Sequence, residues 1–167
     1  MARRKAGATP ARPATRSRPL AADEVGTSAA SFRYIESSAL LAALLEQDPA
    51  ALDALRAEGQ RVTSALTFAE ASRAIVRARV ADRLTPAEER AALRGLRTFE
   101  RRCAVFAVTD AVLTRAGRPF PVEPIRTLDA VHLATAELLG EPPQLVTLVT
   151  RDARIRDNAR ALGYVVE

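Results

Sequence analysis

The sequence predicts an α/β fold in which a parallel sheet lies between layers of helices. Three observations carry that expectation. From residue 31 onward, short β-type runs alternate with helical patterns, the arrangement of a parallel sheet. The run Leu145-Val146-Thr147-Leu148-Val149 is almost continuously apolar, as suits a strand covered on both faces. Four acidic residues, Glu36, Glu70, Asp129 and Asp152, each stand where a segment turns into a helix. In a parallel sheet such points share one edge, because a crossover helix begins near the end its strand has just reached.

Residues 1–30 combine Pro10, Pro13 and Pro19 with Ala, Arg, Thr and Ser without periodicity, so a disordered basic tail is expected there. A single domain follows over residues 31–167. Its strands are expected at Phe32–Ile35, Val62–Ser64, Ala104–Val108, Leu145–Thr150 and Tyr164–Val166. Ser38–Leu45 is apolar nearly all round and reads as a buried helix. Asp48-Pro49 and Thr85-Pro86-Ala87-Glu88 mark helix starts with proline at the first position, the second also a capping box. Thr67–Ala81 and Pro86–Arg102 are amphipathic. Ile75, Val76 and Val80 on the first, with Leu93, Leu96 and Phe99 on the second, suggest a helical hairpin; Arg73, Arg77, Arg83, Arg90, Arg94 and Arg97 mark its outer faces. Pro119, Pro121 and Pro124 make Gly117–Arg126 a loop leading into the helix of Asp129. Gly140 and Gly163 act as helix stops.

Composition narrows the chemistry. The formal net charge of +5 is concentrated in residues 1–30, where Arg3, Arg4, Lys5, Arg12, Arg16 and Arg18 face Asp23 and Glu24. The remainder is nearly neutral, so net charge is no argument for nucleic-acid binding by the folded domain. Lys5 is the sole lysine, which excludes Walker-type phosphate loops and Schiff-base chemistry. One cysteine, Cys103, and one histidine, His132, exclude an internal disulfide and a His-rich zinc site. His132 is expected to be a solvent-shielded histidine beside an apolar stripe, and Cys103 a buried small hydrophobe. No apolar run reaches the ~20 residues of a membrane span, and Arg3-Arg4-Lys5 is not followed by the apolar stretch of an export signal. The cytoplasm is the expected setting.

Each acid also fits a purely structural role. Acidic side chains accept from free backbone N–H groups in the first helical turn and complement its dipole. Thr67-x-x-Glu70 has the form of a capping box with Arg73 as an i, i+3 partner, Asp129 can be a first-turn acid after Thr127, and Asp152 can be an N-cap. Glu36 fits this role least, since Ser37 and Ser38 are better caps. Capping does not, however, require four acids at one edge of one sheet. Four oxygen donors with almost no histidine or cysteine make a magnesium or manganese site, and such sites commonly handle phosphate esters.

The stretches Tyr34-Ile35-Glu36-Ser37-Ser38-Ala39-Leu40, Thr63-Ser64-Ala65-Leu66 with Glu70, Arg126-Thr127-Leu128-Asp129-Ala130-Val131-His132-Leu133-Ala134-Thr135-Ala136, and Val149-Thr150-Arg151-Asp152 resemble, in order, the PIN-domain ribonucleases. Within these, the chain is most similar to the VapC toxins of bacterial toxin–antitoxin pairs. The resemblance implies a PIN-like three-layer fold with a five-stranded parallel sheet in the order 3-2-1-4-5. It implies an acidic quartet of Glu36, Glu70, Asp129 and Asp152, with Glu36, Asp129 and Asp152 as principal ligands of Mg²⁺ or Mn²⁺ and Ser38 and Thr150 supporting them. RNA is the implied substrate, with a cognate antitoxin and a second copy of the chain as partners through the helical hairpin. Arg126, Arg151, Arg73 and Arg77 are candidates for RNA phosphates. At the first acid the family usually has aspartate where this chain has Glu36, whose extra methylene moves the carboxylate by roughly 1.5 Å, against a ~0.2 Å tolerance in metal–ligand distances. The alternative to cleavage is a PIN-fold module that binds RNA or a protein without cutting.

Overall fold

The computed structural model describes residues 31–167, and the expected basic tail over residues 1–30 lies outside them. Strands β1 (Phe32–Ile35), β2 (Gln60–Ser64), β3 (Ala104–Phe106), β4 (Val146–Val149) and β5 (Val165–Val166) form one sheet. Every pairing is parallel, and the order is β3-β2-β1-β4-β5, as expected. Tyr34 on β1 is in register with Val62 on one side and Leu148 on the other. The central strand therefore ends at Glu36 with neighbours on both flanks.

Side-chain alternation along β1 and β4 makes the two cores. Tyr34, Val146 and Leu148 enter a cluster with Val62, Val131, Leu133, Ile155 and Tyr164. Ile35 and Val149 point the other way, to Leu40, Ile75, Leu96 and Phe99. Helices α1 (Ser37–Leu41), α3 (Ala65–Val80) and α4 (Pro86–Glu100) supply most of the second cluster, whereas α6 (Thr127–Glu137) and α7 (Ala153–Ala161) supply half of the first. Each fully buried large aliphatic side chain contributes about 1.5–3 kcal/mol before entropy is counted. That burial on both faces fixes the edge where the strands end.

Several punctuation marks read from the sequence are realised. Asp48 caps α2 (Pro49–Arg56), accepting from Ala51 N–H at 2.6 Å. Thr85 and Glu88 make both halves of the capping box that opens α4. Gly140 and Gly163 adopt φ of 76° and 89° at their helix ends, a conformation that disfavours side chains.

Other expectations need correction. The buried helix over Ser38–Leu45 does not run straight through: after α1 the chain widens into a π-helical turn, Ala42–Glu46, and reverses at Gln47 with φ 53°. Gly95 of α4 lets this turn approach, since a Cβ there would lie 2.7 Å from Leu44 Cδ2. Helix α3 starts at Ala65, capped by Ser64, rather than at Thr67. Thr67-x-x-Glu70 is thus no capping box; Thr67 meets Thr63 hydroxyl to hydroxyl at 2.8 Å instead. In the hairpin of α3 and α4, Ile75, Leu96 and Phe99 are buried, but Val76 and Val80 are exposed. The six arginines expected on its outer faces are all exposed. Helix α5 (Asp110–Ala116) was not anticipated, although Thr109 caps it by accepting from Val112 N–H. Strands β3, β4 and β5 are each shorter than expected; before β4, Leu145 closes a short 3-10 helix, Pro143–Leu145, instead of opening the strand.

The loop before α6 is held from the far side. Asn158 of α7, completely buried, accepts from Val122 N–H and donates to Val122 C=O, both at 2.8 Å. This clamp fixes the approach to Asp129. Arg33 of β1 is another buried polar group that the sequence did not single out; it donates to Ala54 C=O and pairs with the Glu167 carboxylate. Glu167 in turn bonds through its backbone to Leu148 and Thr150, which secures the end of β4.

Candidate metal centre

Glu36 leaves the central strand as the N-cap of α1, with φ −86° and ψ 158°. Ser37 and Ser38, expected to be the better caps, instead donate to it. Oε1 accepts from Ser37 Oγ at 2.6 Å and Ser38 N–H at 3.0 Å; Oε2 accepts from Ser38 Oγ and, at 2.9 Å, from Thr150 Oγ1 at the end of β4. A carboxylate offers about four lone-pair sites, so this one is fully engaged. With 3% of its surface exposed, Glu36 is buried, and those donors satisfy the oxygens that burial removes from water.

Glu70 projects from the second turn of α3 and meets His132 of α6, with Oε2 2.7 Å from Nε2. The same nitrogen lies 3.8 Å from Glu36 Oε1, so one ring links two acids from different elements. On its other side Nδ1 lies 3.0 Å from the Tyr34 hydroxyl. Burial pushes the Glu70 carboxyl up, but the hydrogen bond and charge of His132, with help from Ser37 and Arg77, outweigh it and hold the group below the usual range. The expected Arg73 partnership is replaced by this contact. His132 is buried, as expected, but it is hydrogen-bonded at both nitrogens rather than merely packed.

Asp129 and Asp152 are built differently. Asp129 lies in the first turn of α6. Its carboxyl is pushed up by burial first and then by the charge of Asp152 and, less strongly, of Glu36, with Arg126 pulling the other way. Its Oδ2 is buried and has no hydrogen-bond partner among the described residues. Asp152 is the N-cap of α7, and Oδ1 accepts from Arg154 N–H at 2.8 Å and Ile155 N–H at 3.3 Å. Thr150 Oγ1 accepts from Asp152 N–H at 3.0 Å while donating to Glu36, so one hydroxyl joins the two halves. Glu36, Glu70 and His132 bring donor atoms within 4.8 Å of one another; Asp129 and Asp152 adjoin that group electrostatically and are not part of it.

Of the four candidate arginines, Arg151 is already engaged: its guanidinium bonds Asp48 at 2.9 Å, and its backbone N–H donates to Ser38 Oγ. Accepting from Ala51 N–H and Arg151 holds the Asp48 carboxyl low. Arg126 is exposed at the N-cap of α6, within electrostatic reach of Asp129. Arg73 and Arg77 line a groove with Ser37, Ser38, Glu70 and Leu128. Cys103 is only partly buried, and burial raises its thiol to about 12, which leaves it unreactive.

The donor set suits a hard divalent cation. Its members are carboxylate oxygens supported by hydroxyls, and Asp129, pushed up by the charges of Asp152 and Glu36, presents a buried oxygen with no partner among the described residues. A cation beside that oxygen replaces repulsion by attraction. The sequence reading missed Tyr34 and underweighted His132. The available signal was their local context: the only histidine one helical turn after Asp129, and a tyrosine two residues before Glu36.

A profile of the PIN domain matches residues 33–161. The chain is 40% identical over 138 residues to "Ribonuclease VapC35" of Mycobacterium tuberculosis, covering 80% of this chain and 93% of that protein. It is likewise 40% identical over 135 residues to "Ribonuclease VapC46" of the same species, covering 80% and 94%. Among solved structures, it superposes on VapBC2 from Rickettsia felis bound to a promoter DNA fragment with a TM-score of 0.57 at 12% identity, covering 81% of this chain and 97% of that one. VapBC-1 from nontypeable Haemophilus influenzae gives 0.53 at 11% identity, covering 81% and 96%. At such identities the structural likeness speaks to the fold alone.

Proposed function

Because this chain belongs to the PIN-domain family, in its VapC branch, we propose that it is a divalent-metal-dependent endoribonuclease, the toxin of a toxin–antitoxin pair. The observation that carries the reading is the buried Oδ2 of Asp129, unpartnered among the described residues and within reach of the charges of Asp152 and Glu36. Glu36, Asp129 and Asp152 would hold Mg²⁺ or Mn²⁺, with Glu70 beside them. The chemistry a divalent cation supplies at such a site is activation of a water for attack on a phosphodiester and neutralisation of charge on the phosphate oxygens.

The remaining work falls to the chain's own groups. Ser38 and Thr150 hold the Glu36 carboxylate in one rotamer across the β1–β4 edge. Hydroxyls are rotors, so Ser37, Ser38 and Thr150 can each turn aside to free a lone pair of Glu36. Arg126, Arg73 and Arg77 provide positive charge along the approach, and Arg151 does so after exchanging Asp48 for a phosphate. Aromatic content is only 4%, so RNA would be gripped by its backbone and shape rather than by base stacking. The relatives named as ribonucleases and the neighbours solved as VapBC pairs support RNA as substrate and an antitoxin as partner. Among the described residues no helix is long and apolar enough to cross a membrane; a cytoplasmic homodimer completes the proposal.

The test is cleavage of a panel of structured RNAs by purified protein with Mn²⁺, Mg²⁺ or chelator. Cutting is expected with either metal and none with chelator. Equal cutting in chelator would remove the metal from the proposal.

A further inference from the structure

Beyond the four acids, His132 is also built tightly into this edge, 1% exposed and bonded at both nitrogens. A ring nitrogen 2.7 Å from a carboxylate oxygen shares a hydrogen with it, and an ionised carboxylate only accepts. Nε2 therefore carries the hydrogen whether the ring is neutral or charged, which leaves that nitrogen no lone pair for a metal. In the neutral ring Nδ1 is then the acceptor for the Tyr34 hydroxyl at 3.0 Å.

Tyr34 is a rigid anchor. It lies on the central strand with no exposed surface, edge-on to the imidazole at 79° with centroids 6.2 Å apart. Glu70, by contrast, sits beyond the first turn of α3 on a flexible stem, and no backbone cap restrains it. Left alone, it would sample several rotamers and lose entropy on meeting an ion.

We propose that Tyr34 and His132 form a positioning relay that fixes the Glu70 carboxylate beside Glu36, so that a divalent ion meets a preset acid. This rests on the metal reading above. His132 is thereby a positioning residue: its effect reaches the ion only through Glu70. Hydrogen-bonded groups behind metal ligands commonly set 10–100-fold in affinity.

The experiment is a Mn²⁺ titration of the full-length protein followed by electron paramagnetic resonance of free Mn²⁺, with melting curves in chelator alongside. His132→Leu is expected to weaken Mn²⁺ binding by roughly 10–100-fold, and Tyr34→Phe to weaken it less but in the same direction. His132→Gln, whose amide N–H takes the place of Nε2–H, is expected to recover most of the loss. A purely packing role predicts instead that Gln and Leu variants bind equally, which overturns the relay. If His132→Leu does not fold, Tyr34→Phe decides, since it removes one oxygen and leaves the ring; unchanged affinity there also overturns it. A parent protein that takes up no Mn²⁺ overturns the metal reading itself and the relay with it.

Discussion

Glu36 and Asp129 lie at the same edge of the sheet, yet their carboxylates have opposite surroundings. Glu36 is buried and accepts from Ser37, Ser38 and Thr150, while Glu70 next to it is tied to His132. Asp129 is half-buried, feels the charge of Asp152, and leaves one oxygen unpaired among the described residues. One half of the acidic row is finished by the protein; the other half is left electrostatically strained. A cation site needs both: a scaffold already ordered before binding, and an excess of negative charge that binding relieves.

Asp129→Asn attacks the strained half and should have the largest effect. Loss of more than about a hundredfold in Mn²⁺-dependent RNA cleavage is expected, beyond what groups behind the ligands contribute. The stability effect should have the opposite sign. A carboxyl whose folded pKa lies above its unfolded value binds protons more tightly when folded, so its ionisation removes stability as pH rises through that interval. Without metal near neutral pH, Asp129→Asn should therefore melt a little higher than the parent, and Mn²⁺ should raise its melting temperature less. A variant that melts lower in chelator would show that Asp129 is a stabilising first-turn acid instead.

Thr150→Val strikes the joint between the halves. The substitution keeps the shape but removes the donor to Glu36 and the acceptor for Asp152 N–H. An unsatisfied buried group costs about 1–3 kcal/mol, so urea unfolding should show a loss of about 2 kcal/mol. An unchanged midpoint would mean that water replaces the hydroxyl and that the two halves are not mechanically linked.

Glu36→Asp tests whether the finished half is adaptable. With three hydroxyl rotors around the carboxylate, the shorter side chain should change the cleavage rate by less than about tenfold, or about 1.4 kcal/mol in barrier. A much larger gain would mark glutamate as a handicap and turn the protein toward a binding role without cleavage.

Arg126→Ala should have the smallest effect. Removing one phosphate contact should lower the slope of log affinity against log salt for single-stranded RNA by about 0.7. The same slope in variant and parent would place the RNA path away from α6.

Much of the frame was legible along the chain because its causes are local. Short, near-continuous apolar runs specify strands, and Asp48-Pro49, Thr85 with Glu88, Gly140 and Gly163 act on backbone groups within a few residues. Even so, neighbouring signals compete. Ser64 captured the start of α3 and cancelled a capping box that Thr67 and Glu70 spell, and the π-helical turn at Ala42–Glu46 arose where Leu44 packs against Gly95. Asp152 shows a third case, in which the cap reading is realised through one oxygen, Oδ1, alone.

The sequence by itself determined that four acids stand near helix starts; of these Glu36 and Asp152 closely follow strands, whereas Glu70 lies in the second turn of α3 and Asp129 follows the loop after α5. Only the tertiary structure decided which partner each acid meets: Thr150 reaches Glu36 across 114 positions, His132 reaches Glu70 across 62, and Arg151 reaches Asp48 across 103. Hydrogen bonds and charge repulsion act over a few ångströms in space, and spacing along a chain does not encode those distances until the helices have packed against the sheet.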